Sequence, residues 1–493
     1  MRILVIHFSD DNFGDMLIEH CFSQLLNVVS DNLKQPFEIH SMGLKNFNQW
    51  QIENSDLICF AGGGVFGLSY LNLFEHINAI LSVAEEKQIP VIFSSIGVNN
   101  MDANDKNQQP LSDLLRLSCI KAISVRENPQ LFKNFAGDVP YTISQVCDPA
   151  VWTKYVYNHT VQYILDQKST REKKIVGINV VRGGLFADNG KDWTLGQEAE
   201  FLHTIKHRIE QAGYACKFYT NGSTLDNNTL LFFKKKYDIS EDDLIFVDST
   251  KELVETIALF DAVIAIRLHS AIICYSLDVP VVNLVWNDKI QLFYDAIRRP
   301  SCTFDLANCN EEEIVSFITN AEKNGDTCAD ADYLMSLYKF LYETLFKITN
   351  ASNALPVYSF GEVAAKLSAL RVSDEKMIAD MKIKLYKGQK RYYGQFMSVR
   401  KKDAELKKTK EELTDIKNTV KKQTATISQQ AKQLETLTLS LKKKETLLEK
   451  SNQSLEKTKQ KAQKLQNKID RIESMLIVRL YRKIQKFLRL FCK

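Results

Sequence analysis

Along residues 1–310, short unbroken apolar runs alternate with longer amphipathic stretches. RILVIHF, DLICFA, PVIFSSIG and KAISVRE read as strands; DMLIEHCFSQLLNVV, LNLFEHINAILSVAEEK and LSDLLRLSCI, set between them, read as helices. The strand runs lack polar alternation, so both of their faces are buried, which predicts a parallel sheet covered on both sides by helices. Around residues 152–174 the chain turns polar, ending in DQKSTREKK, and KIVGINVV then opens a second series of the same kind. AEFLHTIKHRIEQAG, YACKFYT, a helix ending in FFKKKY, DLIFVD, KELVETIALF, DAVIAI, SAIICYSLD and VPVVNLV follow in order. The expectation is two doubly wound, Rossmann-like α/β lobes, at 1–165 and 170–310. Two such units in tandem resemble the two-lobed GT-B arrangement of nucleotide-sugar glycosyltransferases, with the active site in the cleft between lobes.

Beyond residue 310 the strand signal fades, and residues 311–393 read as helices that pack back on the lobes. From Gln395 to the end there is no Gly or Pro. Leu406, Leu413, Val420, Ile427, Leu434, Leu441, Leu448, Leu455, Ala462, Ile469 and Leu476 recur every seven residues. So narrow a stripe on so long a helix favours self-association as a coiled coil over 395–474. The second seam, with Thr409, Gln423, Gln430 and Lys444 among its positions, leaves oligomer number and direction open. Residues 475–493 differ: basic throughout, with Leu480, Ile484, Phe487, Leu488 and Phe491 on one helical face. That pattern fits a helix lying on an anionic membrane surface, or one closing the coiled coil.

Composition narrows the class. A 493-residue chain with 45% hydrophobic and 25% charged residues is globular. The start lacks the build of a signal peptide, and no window reaches the ~18–20 apolar residues of a membrane span. A cytoplasmic protein is expected, peripheral on the membrane if the tail binds there. The ten cysteines are scattered, several within apolar runs, and read as reduced thiols. His203 and His207 share a helix face without a third ligand nearby, so they read as a solvated face and no metal is expected. From residue 394 onward 26 Lys and Arg face 11 Asp and Glu, leaving 38 against 49 before it. An acidic body on a basic tail gives the two parts different partners, and nucleic acid is not among those expected.

The chemistry concentrates in DAVIAIRLHSAIICYSLDVPVVNLVWNDK. A buried strand ending at Ile266 delivers Arg267 and His269 at its C-terminal edge, just before a helix begins near Ser270, with Leu268 turned into packing. In an open α/β sheet that edge is where ligands bind, and a guanidinium and an imidazole there suit an anion and a proton transfer. The plainer reading is a salt bridge from Arg267 and a helix cap from His269. In the first lobe, Asn12, Gly14 and Asp15 form NFGD between strand and helix, which capping explains as well as binding does. Gly62, Gly63 and Gly64 would let backbone amides meet an anion or a sugar, or would serve close packing.

These segments, in this order, resemble the polysaccharide pyruvyl transferase family: NFGDMLIEH, DLICFAGGGVFG, PVIFSSIGV, AISVREN, CDPAVW, and RLHS followed by VPVVNLVWNDK. The likeness runs over roughly residues 1 to 300. It implies transfer of a pyruvyl group from phosphoenolpyruvate, a substrate and not a cofactor, onto two hydroxyls of a saccharide, free or lipid-linked, to form a ketal. It places Arg267 and His269 at the donor, His269 in proton transfer or at the leaving phosphate and Arg267 on a donor anion. Asp148 becomes a candidate base, though a cap before Pro149 explains it too, and Lys289 lies in a matching segment. A second donor arginine is Arg126, whose alternative is an ion pair with Glu127 or another acid, or Arg182 beside Gly183 and Gly184. A nucleotide-sugar glycosyltransferase of the same shape, and a scaffold working through its coiled coil, are the competing readings.

Overall fold

A computed structural model describes residues 1–370 except 9–11, 65, 67–69, 99–100, 103, 169, 306–307 and 321–329, together with most of 438–471. The chain divides into two compact units, Met1–Asp374 and Glu375–Lys493.

The first unit holds two parallel-sheet α/β lobes. In the first, β1 (Arg2–His7), β2 (Glu38–Gly43), β3 (Leu57–Ala61), β4 (Val91–Ile96), β5 (Ile120–Val125) and β6 (Ile143–Gln145) are ordered β2-β1-β3-β4-β5-β6, and every pairing is parallel. In the second, β7 (Ile175–Asn179), β8 (Ala215–Tyr219), β9 (Leu244–Ile245), β10 (Ala262–Ala265), β11 (Val281–Val285) and β12 (Thr303–Asp305) are ordered β12-β11-β10-β7-β8-β9. In each sheet the chain starts near the middle, winds to one edge and returns to the other side of its first strand. The crevices between β1 and β3, and between β7 and β10, are the topological switch points where such sheets bind ligands.

The central strands β3 and β4 are fully buried, as unbroken apolar runs require. On one face of the first sheet Phe60 stacks on Phe93 at 4.4 Å, within a core private to that lobe. On the other face Ile3, Val5 and Leu17 belong to an apolar cluster that continues into the second lobe through Val254, Ile257, Val263 and Ile273. Trp152, between the lobes and wholly buried, is part of it. A shared core fixes how the lobes meet, so the spacing across the cleft follows from side-chain packing.

The helices Ala331–Thr349 and Phe360–Ala369 return to the first lobe and join the same cluster. The clasp is Asn32, wholly buried near the end of the helix Phe13–Leu33. Its Oδ1 accepts from Tyr338 Oη at 2.6 Å and the Tyr358 amide at 3.2 Å, and its Nδ2 donates to the Leu355 and Pro356 carbonyls at 3.2 and 2.9 Å. Every hydrogen-bonding position of that amide is used, as its burial demands.

In the second unit the described residues of 438–471 are helical. They include Leu441, Leu448 and Leu455; the heptad positions before 438 and the basic tail 475–493 lie outside the described residues. Among the described residues no helix is long and apolar enough to cross a membrane. The eight described cysteines are free thiols.

Candidate functional site

The loop after β10 brings Arg267 and His269 to the cleft. Leu268 is not on the strand but opens the helix Leu268–Ser276, where it packs half-buried against the shared core. Arg267 is the residue before that helix, and its amide is held by Asn179 Oδ1, at the end of β7, at 2.9 Å. Asn179 Nδ2 donates to Asn221 Oδ1 at 3.1 Å, and the same oxygen accepts from Ser270 Oγ at 2.7 Å. Three strand ends of the second lobe are thus tied by buried amides directly behind His269.

His269 is 8% exposed and reaches into the first lobe. Its Nδ1 stands 3.1 Å from Asp15 Oδ1 and its Nε2 3.9 Å from Asp148 Oδ2. The first contact is a hydrogen bond, the second is not. Nε2 is buried with no hydrogen-bond partner among the described residues. Asp15 therefore fixes the ring and the tautomer, and Nε2 is the nitrogen left to exchange a proton. Burial alone would raise the Asp15 carboxyl, but its hydrogen bond to His269 and the charges of His269, Arg267 and Arg126 leave it below the usual carboxylate value. Gly14 makes the approach possible: a Cβ there would lie 2.6 Å from His269 Cβ. Asn12 caps the same helix, accepting the Gly14 amide at 3.0 Å.

Asp148 serves twice. Its Oδ1 accepts the Ala150 amide at 2.9 Å, capping the short turn Pro149–Trp152, and its Oδ2 accepts from Arg126 Nη1 at 2.5 Å. Ser95, at a left-handed φ of 57° in an irregular end of β4, donates its hydroxyl to the Cys147 carbonyl at 2.8 Å and so helps to place Asp148. Arg126 also donates Nε to Glu127 Oε2 at 2.9 Å, and Glu127 Oε1 accepts the Val98 amide at 3.1 Å. Burial weakens the Arg126 charge, but the Glu127 and Asp148 carboxylates more than restore it and raise its pKa. Burial raises the Glu127 carboxyl against the pull of Arg126 and Lys289. Arg126 is ion-paired with both acids, and it stands one carboxylate away from His269.

Lys289 lies over the triple glycine, its Nζ 2.5 Å from where a Gly64 Cβ would be. Burial first, and Arg126 second, lower its pKa to about 8 against the opposing Glu127 and Asp15. The glycines do not all offer free amides. Gly62 donates its N–H to the Ser94 carbonyl at 2.7 Å, and Gly62 and Gly63 have φ of 60° and 81° and lie against Ile18 and Phe8. Close packing and positive φ account for both.

Two further arginines are paired with acids. Arg267 points its fork at Asp226, with Nε 3.0 Å from Oδ2 and Nη2 2.5 Å from Oδ1. Arg182 turns its guanidinium to exposed Asp188 at 2.6 Å, and only its backbone takes part, donating to Asp226 Oδ1 at 2.7 Å. Away from the cleft, the His203 ring stacks on Tyr237 at 3.9 Å, and exposed His207 packs edge-on against it.

The structure therefore gathers Asp15, Arg126, Asp148, Arg267, His269 and Lys289 about one point. It pairs Glu127 with Arg126 and adds Asn179 and Asn221, which the sequence signals only by their places after strands, and Asp226 in the first turn of a helix. A sequence model of the family described as polysaccharide pyruvyl transferase matches residues 12–288, over half the chain and all of these residues but Lys289, which follows directly. The chain belongs to the polysaccharide pyruvyl transferase family. Among curated proteins no relative matches it. Solved structures similar to this transferase include UDP-GlcNAc 2-epimerase from Neisseria meningitidis, 10% identical, covering 70% of this chain and 100% of the other at a TM-score of 0.49. The Methanocaldococcus jannaschii UDP-GlcNAc 2-epimerase is 10% identical, with 70% and 100% covered and a TM-score of 0.44. Anabaena HepE, solved with UDP-glucose, is 11% identical, with 75% and 100% covered and a TM-score of 0.38.

Proposed function

We propose that this transferase moves the three-carbon skeleton of phosphoenolpyruvate onto two hydroxyls of a saccharide, forming a ketal and releasing phosphate. The observation that carries the reading is His269: anchored at Nδ1 by Asp15, with a buried, unpartnered Nε2 among three cations. The donor brings a carboxylate and a phosphate, which Arg126, Arg267 and Lys289 are suited to receive.

The proton balance assigns the work. The two sugar hydroxyls lose two protons; one becomes the third hydrogen of the new methyl group and the other leaves on phosphate. His269 Nε2 protonates the methylene carbon, C2 turns electrophilic, and the first hydroxyl oxygen bonds to it. The C2–O bond to phosphate then breaks and the second hydroxyl closes the ketal. Asp15 stabilises the charged imidazole, and Asp148, 3.9 Å from Nε2, is placed to take a hydroxyl proton once the donor draws Arg126 away. On this reading the acceptor is a cell-surface polysaccharide unit, borne on a lipid carrier; the heptad stripe joins copies of the chain, and the basic tail rests on anionic membrane at the cytoplasmic face.

The ligand test is thermal. Phosphoenolpyruvate at ~100 times its Kd should stabilise the folded chain by ~2.7 kcal/mol. Stabilisation by UDP-sugars and none by phosphoenolpyruvate would replace this reading with that of a glycosyltransferase. A second expectation concerns pH. The Lys289 ammonium is charged below about 8 and neutral above it, so the donor KM should climb as pH passes that value. In Lys289→Arg, which stays charged, the climb should be lost; steady-state kinetics at several pH values decides.

A further inference from the structure

Arg267 comes to the cleft already paired with a carboxylate that no solvent reaches. Asp226 is 0% exposed, in the first turn of the helix Thr224–Tyr237, and takes both Nε and Nη2 of the guanidinium. Nη1 makes no hydrogen bond among the described residues. The pairing is not needed to hold the backbone there, because Asn179 already fixes the Arg267 amide. Nor is Asp226 alone in tying down the loop after β7, where Thr229 Oγ1 separately accepts the Gly183 amide at 2.9 Å. Beside Asp226 lies a second acid, Glu198, 2% exposed, with Oε1 unpartnered among the described residues. Burial, then Asp226, push its carboxyl up to about 8, so near neutral pH it is uncharged. The cluster holds one buried anion against one cation.

We propose that Asp226 is a positioning residue that sets how tightly Arg267 holds an anion, its buried charge offsetting part of that of the guanidinium so that phosphate can leave. This rests on the reading that places the donor at Arg267. A divalent anion beside an uncompensated, half-buried arginine would bind well as donor and equally well as product. A fixed carboxylate on the far edge of the same guanidinium repels both across about one guanidinium width, where Coulomb interactions remain strong. The result is turnover in place of a phosphate trap.

The test is binding of inorganic phosphate to the full chain by calorimetry, with product inhibition alongside. Asp226→Asn should bind phosphate about tenfold more tightly, ~1.4 kcal/mol, with donor KM and kcat falling together. Asp226→Glu, which keeps the charge and alters the geometry, should stay within about twofold of the wild type. Should the Asn variant not melt cooperatively, Asp226→Ser takes its place. Weaker or unchanged phosphate binding in the neutral variant, or a tenfold loss in Asp226→Glu, would make the carboxylate a matter of shape and overturn the proposal. Arg267→Gln separates the two levels. Its loss of phosphate binding keeps the donor placement whatever Asp226 does; phosphate binding equal to wild type would remove that placement and the proposal with it.

Discussion

His269→Ala should lower kcat by ~10² to 10⁴, the usual contribution of a positioned acid or base, while the donor Kd stays within a few-fold of wild type. The split follows from geometry. Arg126, Arg267 and Lys289 come from other positions and keep their places, so the donor still binds, but no nitrogen remains to protonate its methylene carbon. The fold should tolerate the change, because among the described residues the ring's one hydrogen bond is to Asp15, whose side chain is 28% exposed and can turn to water. Asp15→Asn should show a smaller fall in kcat, since the imidazolium loses its fixed counter-charge. Near wild-type turnover of His269→Ala on a competent acceptor would remove the histidine from the chemistry.

Arg126→Ala should lose both activity and stability. The guanidinium is the shared partner of Asp148 and Glu127, whose side chains are 2% and 7% exposed. Removing it leaves two carboxylates buried beside each other, and breaking a buried pair in this way typically costs ~3–5 kcal/mol. Arg126→Lys should rescue little, because Nε and Nη1 each serve a different acid and a single ammonium cannot span them. Adding Glu127→Gln should restore part of the stability without restoring transfer. Denaturant unfolding of the three variants measures this; unchanged stability in Arg126→Ala would mean that the acids find other partners.

What the sequence made legible follows from how strongly each feature is patterned. The central strands, buried on both faces, stand out as solid apolar runs, and from them come the two parallel-sheet lobes. β2 does not stand out: it is an edge strand, half exposed, with Glu38 and His40 interrupting the run. The helix opening at Leu268 rather than near Ser270 is a matter of one backbone turn, which apolar periodicity does not resolve. Arg267 and His269 were visible because a strand edge and a helix start coincide there. Asp226 was not, since an isolated acid in a helix looks the same whether it faces water or a buried arginine. The choice between Arg126 and Arg182 was equally hidden: both follow strands, and only tertiary packing turns one to Asp148 and the other to exposed Asp188. Gly62 was legible as a residue of close packing or of ligand approach, but not as one whose amide is already taken by the Ser94 carbonyl.

The reaction itself is the most direct test: full-length chain, phosphoenolpyruvate and a panel of free and lipid-linked saccharides in D₂O, followed by proton and phosphorus NMR. Because the third methyl hydrogen comes from an exchangeable hydroxyl, the product methyl should carry one deuterium and sit on a carbon bonded to two sugar oxygens, with one phosphate released per ketal. Phosphate released with free pyruvate alone, or consumption of a UDP-sugar while phosphoenolpyruvate persists with every acceptor, would contradict it.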